Sequence, residues 1–522
     1  MLAFKKSSYK KYIFCSFFML YIIVNIIYLS KFPFMHSDES WLSGLSRNIL
    51  ERGSYAATES FFDLKVRNPH AIKIIFHTIQ IIFIKLLGYS LFNMRLISFI
   101  FGIFTLYFFY RLCSVLFTSK DTAMITTLLL SMDIQFLYAS HFARQEIILL
   151  FVCIYGFYFM SVHINNHKYV HDIILGITIG LSIGIHPNSF IISLPFGCIY
   201  LYHILHTKNL RISNLLFYVF IVGFFAVGFI LLSKSLDPHF LSNYTSYGQK
   251  EFGVLNPITS KISQLKYFYL KLFYQVSGTY YTPNIKFQFL LFGIAFLGSL
   301  FQALVEKDVF VKSQIISVIL AILAINLGIL LIGRYNQTSV VFLFPLFYIL
   351  VIYLLNTHLK QYKGIAVGLL LCILSISTLL NVTPYIHNSY HHYLQEISKV
   401  VNKNSTVLAN LNAEYYFGNG KLYDYRNLEF LKEKNMSFQQ YIEKNHIEYI
   451  IYPEELDFIY HERPRWNGMY GNLLYYEDMH NFFEQQCEKV YEFTEKAYSF
   501  RIAQYINKGD WKIKIYKVLH KR

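Results

Sequence analysis

Long apolar runs recur along the chain from Tyr12 to Val382, and short polar segments separate them. A helix of about 20 apolar residues is long enough to cross the hydrocarbon core of a bilayer. We therefore predict a polytopic α-helical membrane protein with about eleven membrane spans. These spans are expected at residues 12–32, 93–117, 121–140, 146–164, 172–186, 188–205, 212–234, 286–305, 313–332, 337–356 and 363–381.

The segment 71–87 is apolar but fits a membrane span poorly. It contains Lys73, His77, Gln80 and Lys85, and the first three share one face of a helix. This pattern indicates an amphipathic helix that lies along the membrane surface. If 71–87 does not cross, the basic residues of the short loops fall on the side of the basic N-terminus, as the positive-inside rule requires. Counting it as a span would reverse every later loop.

This topology divides the chain into a transmembrane module, residues 1–382, and an extracytoplasmic tail, residues 383–522. The N-terminus is expected in the cytoplasm. The first loop, 33–92, and a second loop, 235–285, are expected on the outer face together with the tail. The tail combines a helical pattern near 393–397 with strand patterns at 406–410, 448–452 and 511–518, which predicts a small α/β domain.

The first apolar run follows several lysines, as a signal peptide would, but it is longer than the usual apolar core of a signal peptide. It also lacks a small-residue cleavage site, so we expect an uncleaved span.

Composition supports a membrane protein and argues against nucleic acid as a partner. The 522 residues are 55% hydrophobic and 15% charged, whereas soluble domains carry about a quarter charged residues. The net charge of +16 is spread over short loops instead of forming one basic stripe. Such loops set orientation and contact anionic lipid headgroups. Five of the six cysteines lie inside apolar runs, and their spacing indicates neither a disulfide framework nor a metal site.

Two adjacent acids, Asp38 and Glu39, directly follow the first span in a chain that is poor in acid. A carboxylate at a membrane edge is suited to take the proton from a hydroxyl nucleophile. The alternative is a capping role for a helix that begins near Trp41, although Ser37 could also cap it.

A second set of polar side chains is expected at the same membrane face as Asp38 and Glu39. Arg144 and Glu146 lie between the third and fourth spans, and His186 and Arg334 lie in two further outer turns. Ionisable side chains near the bilayer are costly without a function. The alternatives are helix capping for Arg144 and Glu146, a hydrogen-bonded interfacial role for His186, and anchoring for Arg334.

Taken in order, these residues resemble the GT-C fold glycosyltransferases. More narrowly, they resemble glycosyltransferase family 39 and its relatives, the protein O-mannosyltransferase and aminoarabinose-transferase group. The resemblance covers most of residues 12–356. It depends on the order of the motifs along the chain and on the membrane face at which each is expected, since no single motif is specific. It is carried by Asp38-Glu39, Arg67-Asn68-Pro69, Gly88, Arg95-Leu96, Arg144 with Glu146, Arg334-Tyr335 and Pro345.

The resemblance implies an inverting glycosyltransferase that uses a polyprenyl-phosphate sugar donor and a hydroxyl or phosphate acceptor on a lipid, glycan or protein. It implies that Asp38 is the general base or orients the acceptor, with Glu39 beside it. Glu146 matches the second acid of the family, which is usually Asp. The implied location is the outer face of a bacterial cell membrane.

The donor phosphate would be bound by basic side chains, for which the candidates are Arg144, Arg334, His186, Arg67 and Lys73. The family's basic residue before the proline is replaced by Asn68, so Arg67, Lys65 or Lys73 would supply that charge.

The sequence requires no cofactor, although a divalent cation is compatible with the ligand types His36, Asp38, Glu39, His141 and His186. Two alternative functions stay open. A lipid-linked glycan polymerase or ligase would share the outer arginines but would not need the Asp-Glu pair. A transporter or flippase should place ionisable residues at the bilayer midplane, where Asp133 is the main candidate.

Overall fold

The computed structural model describes residues 2–276, 280–387, 389–469, 474–495 and 511–519. Twenty α-helices are present in these residues, and sixteen of them precede the tail. Their bounds are α1 Leu2–Tyr28, α2 Ser37–Arg52, α3 Ile74–Leu87, α4 Leu91–Leu116, α5 Lys120–Ser131, α6 Ile134–His141, α7 Glu146–His163, α8 Tyr169–Ser182, α9 Ser189–Tyr202, α10 Ile212–Leu236, α11 Phe240–Phe252, α12 Ile258–Phe273, α13 Lys286–Val305, α14 Val309–Ile332, α15 Phe344–His358 and α16 Lys363–Val382.

The predicted class of fold is confirmed, and helices occupy all eleven predicted spans. In the described residues, eight helices are long and apolar enough to cross a membrane, or nine if the bent pair α5 and α6 is one span. The shorter apolar helices 12–28 and 169–182 fall on the other two predicted spans. The protein is therefore a multi-pass membrane protein with about eight to eleven membrane spans.

Asp133 lies at the break between α5 and α6, which meet at an angle of 67°. One carboxylate oxygen accepts hydrogen bonds from the backbone N–H groups of Gln135 and Phe136 and so caps α6. The other accepts from Gln288 and Tyr348, at 3.1 and 2.7 Å. This buried carboxylate therefore directs the second half of the span towards the turn that carries Arg144.

The amphipathic segment forms α3, whose 14 residues span about 21 Å. This is shorter than the roughly 30 Å of a hydrocarbon core, but the 14-residue α8 on a predicted span is equally short, so the position of α3 along the membrane surface stays a prediction. Two of its polar side chains face the protein, because both His77 and Gln80 bond the hydroxyl of Ser46 in α2, at 2.7 and 2.6 Å, whereas Lys85 is exposed. The polar stripe thus serves helix packing.

The tail forms a five-stranded mixed sheet with helices around it. The strands are β1 Val407–Ala409, β2 Leu422–Asp424, β3 Tyr449–Pro453, β4 Cys487–Glu495 and β5 Trp511–Val518, in the order β2-β1-β3-β5-β4. β1 pairs in parallel with β2 and β3, and β5 runs antiparallel to β3 and β4. The tail helices are α17 Tyr390–Ser398, α18 Phe438–Lys444, α19 Glu455–Glu462 and α20 Tyr476–Gln486.

The first loop lies against this small α/β domain. Arg47 contacts Glu414 at 2.9 Å, and burial raises the pKa of the Glu414 carboxyl to about 7, with Arg47 opposing the shift. Asp63 accepts a hydrogen bond from Tyr441 at 2.9 Å. The loop and the tail therefore lie at the same end of the helical bundle.

Impermeant thiol reagents should report this arrangement in intact cells. In a variant without the six native cysteines, we expect single cysteines at the exposed positions Ser54, Ser246 and Asn404 to react from outside. A cysteine at the exposed Asn209 should react only after the membrane is opened. Labelling of the cysteines at positions 54 and 404 from opposite sides of the membrane would contradict the conclusion that the first loop and the tail lie on the same side.

Candidate active site

Asp38 lies in the first turn of α2, where the helix dipole stabilises a carboxylate. His36 is the N-cap residue, and its Nδ1 accepts a hydrogen bond from the Asp38 backbone N–H at 3.0 Å. The Asp38 side chain therefore does not cap the helix. Its Oδ2 accepts hydrogen bonds from Arg144 Nη1, at 2.9 Å, and from the Tyr280 hydroxyl. The side chain is 21% exposed, which leaves it accessible to a substrate.

Arg144 connects Asp38 to the second predicted acid, Glu146. Arg144 Nη2 lies 3.2 Å from Glu146 Oε1, which also accepts a hydrogen bond from the Thr338 hydroxyl at 2.7 Å. Glu146 is buried, and its second oxygen, Oε2, has no hydrogen-bond partner in the described chain. The structure thus brings Asp38, Arg144 and Glu146 together, as expected from the sequence.

Arg334 and His186 form a second basic group. Arg334 Nη1 lies 3.1 Å from His186 Nε2, and the guanidinium stacks 4.3 Å from the ring centroid of Phe252. The backbone N–H of Asn188 donates to His186 Nδ1, at 3.1 Å. Arginine can only donate, so in the tautomer whose Nδ1 accepts from Asn188 the Nε2–H of His186 and the N–H groups of Arg334 are donors 3.1 Å apart that repel each other. An anionic oxygen that lies beside the pair, and not in the short gap between them, would accept from both and remove this repulsion.

Lys73, the N-cap residue of α3, belongs to the same electrostatic environment. Burial lowers the pKa of its ammonium to about 7, and Arg334, Arg144 and Arg67 lower it further against the opposing effect of Asp38. Among the described residues no carboxylate forms an ion pair with Lys73. Two cationic side chains, Lys73 and Arg334, thus have no ion-pair partner among the described residues, and the neutral His186 adds an N–H donor beside Arg334.

Five of the buried polar atoms without partners in the described chain lie in the turns that carry these residues. They are the side-chain amide atoms of Gln145, Oε2 of Glu146, Oδ1 of Asn188 and Oε1 of Gln337. Burying such groups without hydrogen bonds costs about 1–3 kcal/mol each. Their clustering indicates a region that binds polar substrate groups or water.

Glu39 lies apart from this group and is fully buried. Its two oxygens accept hydrogen bonds from Arg95 Nε and Nη2, each at 2.8 Å. They also accept from the backbone N–H groups of His36 and Ala143, at 3.0 Å each. With its acceptor positions used in this way, Glu39 is suited to fixing α2 against α4 and against the turn before Arg144.

Arg67 lies in a different set of contacts from Arg144 and Arg334. It bonds both carboxylate oxygens of Glu59 at 3.2 Å, and its guanidinium stacks 5.2 Å from the Trp41 ring. Although burial opposes the shift, Arg67 and Trp41 hold the pKa of Glu59 at about 2. Arg67 therefore stabilises the first loop in this structure.

The five candidate metal ligands do not converge. His141 bonds the Asn25 side chain and the Phe32 carbonyl, at 2.7 and 3.1 Å, while Glu39 is held by Arg95. In the described residues, no group of three or more His, Cys, Asp or Glu is placed to hold a metal ion. The present arrangement does not fit a metal centre, so no step is assigned to one.

The sequence did not indicate some of the residues that complete the site. Tyr280 is one of several tyrosines in the second loop, with nothing in the sequence to set it apart, and Thr338 carries no signal. The polar Gln145 and Asn188 lie beside residues that were singled out, so their positions in outer turns were the available clue.

Comparison with known proteins agrees with the resemblance found in the sequence. Residues 72–243 match the family model described as dolichyl-phosphate-mannose-protein mannosyltransferase. No curated protein matches the sequence. Both the family model and the solved structures described next are of the GT-C glycosyltransferase class, as the sequence predicted.

The fold is similar to two solved structures of low sequence identity. One is ArnT from Cupriavidus metallidurans bound to undecaprenyl phosphate, with a TM-score of 0.55 and 12% identity over 84% of this chain and 95% of that chain. The other is the Archaeoglobus fulgidus oligosaccharyltransferase in complex with Zn and sulfate, with a TM-score of 0.54 and 13% identity over 85% of this chain and 69% of that chain.

Replacement of Arg95 by methionine should destabilise the fold strongly, because it leaves Glu39 charged and buried without its partner. We expect a loss of about 3–5 kcal/mol in the free energy of unfolding, measured by denaturation of the purified protein in detergent. Arg52→Met, at the exposed end of α2, the helix that carries Glu39, is the control and should change little. Equal stability of the two variants would contradict the structural role of the Glu39–Arg95 pair.

Proposed function

We propose that the chain is an inverting glycosyltransferase that moves a sugar from a polyprenyl-phosphate donor to a cell-envelope acceptor on the outer face of a bacterial cell membrane. One observation carries the proposal. An accessible carboxylate, Asp38, lies beside a basic group, Lys73, Arg334 and His186, that has no carboxylate partner in the described residues. This combination suits an attacking hydroxyl and a phosphate leaving group.

In this proposal the basic group binds the donor phosphate. The phosphate gains negative charge as its bond to the sugar breaks, and fixed N–H donors stabilise that charge. Arg334 and the Nε2–H of His186 both face the space where one phosphate oxygen would accept from each, and Lys73 adds a third donor. Arg144, which already contacts two carboxylates, supports Asp38 and lies within electrostatic reach of the phosphate.

Asp38 would orient the acceptor hydroxyl and accept its proton. The hydroxyl oxygen attacks the anomeric carbon, the bond between that carbon and the phosphate oxygen breaks, and the proton passes to Asp38. Attack opposite to the leaving phosphate inverts the anomeric configuration. Glu146 would orient Arg144 and use its free Oε2 for a substrate hydroxyl, whereas Glu39 and Arg67 would hold the site in shape.

The alternatives have less support. The charged side chains of the candidate site lie at one end of the bundle and not at its middle, and Asp133 is occupied in capping α6, which does not favour a transporter or flippase. A polymerase or ligase of lipid-linked glycans would also need the basic group to bind a lipid phosphate. It differs from a transferase of single sugars in the acceptor that receives the glycan.

Supplying membranes with radiolabelled polyprenyl-phosphate sugars tests the proposal directly. One sugar should become attached to an endogenous acceptor in membranes that contain the protein, and Asp38→Asn should reduce the rate by about a hundredfold or more while the protein stays folded. Asp63→Asn in the same loop is the matched control and should keep most of the activity. Full turnover by purified Asp38→Asn would contradict the role of this carboxylate.

The pH dependence of donor use should report Lys73. Its pKa of about 7 means that the ammonium is charged below pH 7 and loses its charge as the pH rises towards 8.5. The phosphodiester of the donor keeps its single charge over this range. We therefore expect the KM for the donor to rise by roughly tenfold between pH 6.5 and 8.5, since a hydrogen bond to a charged group contributes about 1.5–3 kcal/mol.

Lys73→Arg is the control for this effect, because arginine stays protonated throughout the range. It should bind donor with a nearly constant KM. The same pH profile in wild type and Lys73→Arg would show that another group is responsible.

A further inference from the structure

A cavity of about 400 Å³ lies at the end of the bundle opposite Asp38. It is formed where α4 and α7 end, where α14 begins, and beside α9 and α15. The α14 residues that line the cavity run from Val309 to Ala321, so about 17 Å of helix separates the cavity from the turn that carries Arg334. The cavity is therefore separate from the candidate active site.

The cavity has an apolar floor and a polar rim. The floor consists of buried side chains, which include Leu112, Phe157, Met160, Ile199, Val318 and Leu346. The rim includes Asn165, His206, Asn209, Gln314 and Ser317. A volume of this size accommodates a small ligand or part of a larger one. The division into floor and rim matches an amphipathic molecule with a hydrocarbon chain inside and a polar group at the edge.

The backbone is irregular where it forms the rim. A π-helix, residues 203–207, continues α9, and Lys208 follows it with a left-handed φ of 56°. Single π-helical turns are frequent at functional sites. Here the wider turn contributes His203, His206 and Thr207 to the cavity wall. This local departure from an α-helix coincides with the proposed ligand site.

The loops around the rim carry excess positive charge. They contain Lys168, Lys208, Arg211 and Lys307, and Lys312 lies beside them in the first turn of α14; in the described part of the chain none of these five forms an ion pair.

The two acids of these loops, Glu306 and Asp308, already have partners. Glu306 accepts from Tyr353 at 3.1 Å, and Asp308 caps α14 through two backbone N–H groups. The rim is thus complementary to an anionic headgroup at the membrane surface.

We propose that this cavity binds one acyl chain of an anionic phospholipid from the leaflet opposite the active site. The chain lies on the apolar floor, and the phosphate lies at the rim near Lys208, Arg211 and Lys312. The amide and hydroxyl groups of the rim bond the glycerol and ester oxygens. The lipid is a bound structural ligand and takes no part in sugar transfer.

Native mass spectrometry of the full chain in detergent tests the proposal with phosphatidylglycerol as the probe. Ser317→Phe fills the cavity and should weaken binding of the first phosphatidylglycerol at least tenfold. Ser235→Phe, an equal change on an exposed helix surface at the other end of the bundle, should leave binding unchanged. Phosphatidylcholine should bind the wild type more weakly than phosphatidylglycerol.

A second variant avoids dependence on the folding of Ser317→Phe. Combined Lys208→Gln, Arg211→Gln and Lys312→Gln changes should remove the preference for phosphatidylglycerol over phosphatidylcholine, whereas Lys360→Gln should not. Unchanged preference in the triple variant, or unchanged binding in a folded Ser317→Phe variant, would overturn the proposal. Displacement of the lipid by undecaprenyl phosphate at equal concentration would assign the cavity to a polyprenyl chain instead.

Discussion

The buried ion pair between Glu39 and Arg95 is the contact on which the arrangement of the site depends. Both side chains are fully buried and share two hydrogen bonds of 2.8 Å. Glu39 also accepts from the backbone of Ala143, and Arg95 donates to the carbonyls of Leu29 and Pro33. An unpaired buried charge is strongly unfavourable. The start of α2, the end of the first span and the turn before Arg144 are consequently held in one geometry.

That geometry gives two adjacent acids different roles. Successive side chains on a helix point about 100° apart, so Glu39 faces the interior while Asp38 faces the accessible side. Arg144 is balanced by Asp38 and Glu146, whereas Lys73 and Arg334 lack a matching anion among the described residues. The region therefore has a carboxylate for an acceptor and spare positive charge for a phosphate. This separation of charges is the physical basis of the proposed transfer reaction.

Much of this organisation could be predicted from sequence because membrane spans have a strong signal. Continuous apolar runs located the helices, and the Asp38 and Arg144 positions at span ends indicated a shared face. The direction of Glu39 could not be predicted, since it depends on Arg95, a partner 56 positions away. The inward polar face of α3 was missed for a similar reason, because its partner Ser46 lies on another helix. In the tail, the three residues of β2 are too few to show an alternating pattern.

The central claim is that the donor phosphate binds between Lys73, Arg334 and His186, next to Asp38. A structure of the purified protein with a bound polyprenyl-phosphate sugar, determined by electron cryomicroscopy, tests this most directly. The account predicts a phosphate oxygen within hydrogen-bond distance of Arg334 and His186 Nε2, with the anomeric carbon turned towards Asp38. A phosphate beyond the reach of all three basic side chains, or a sugar turned away from Asp38, would contradict it.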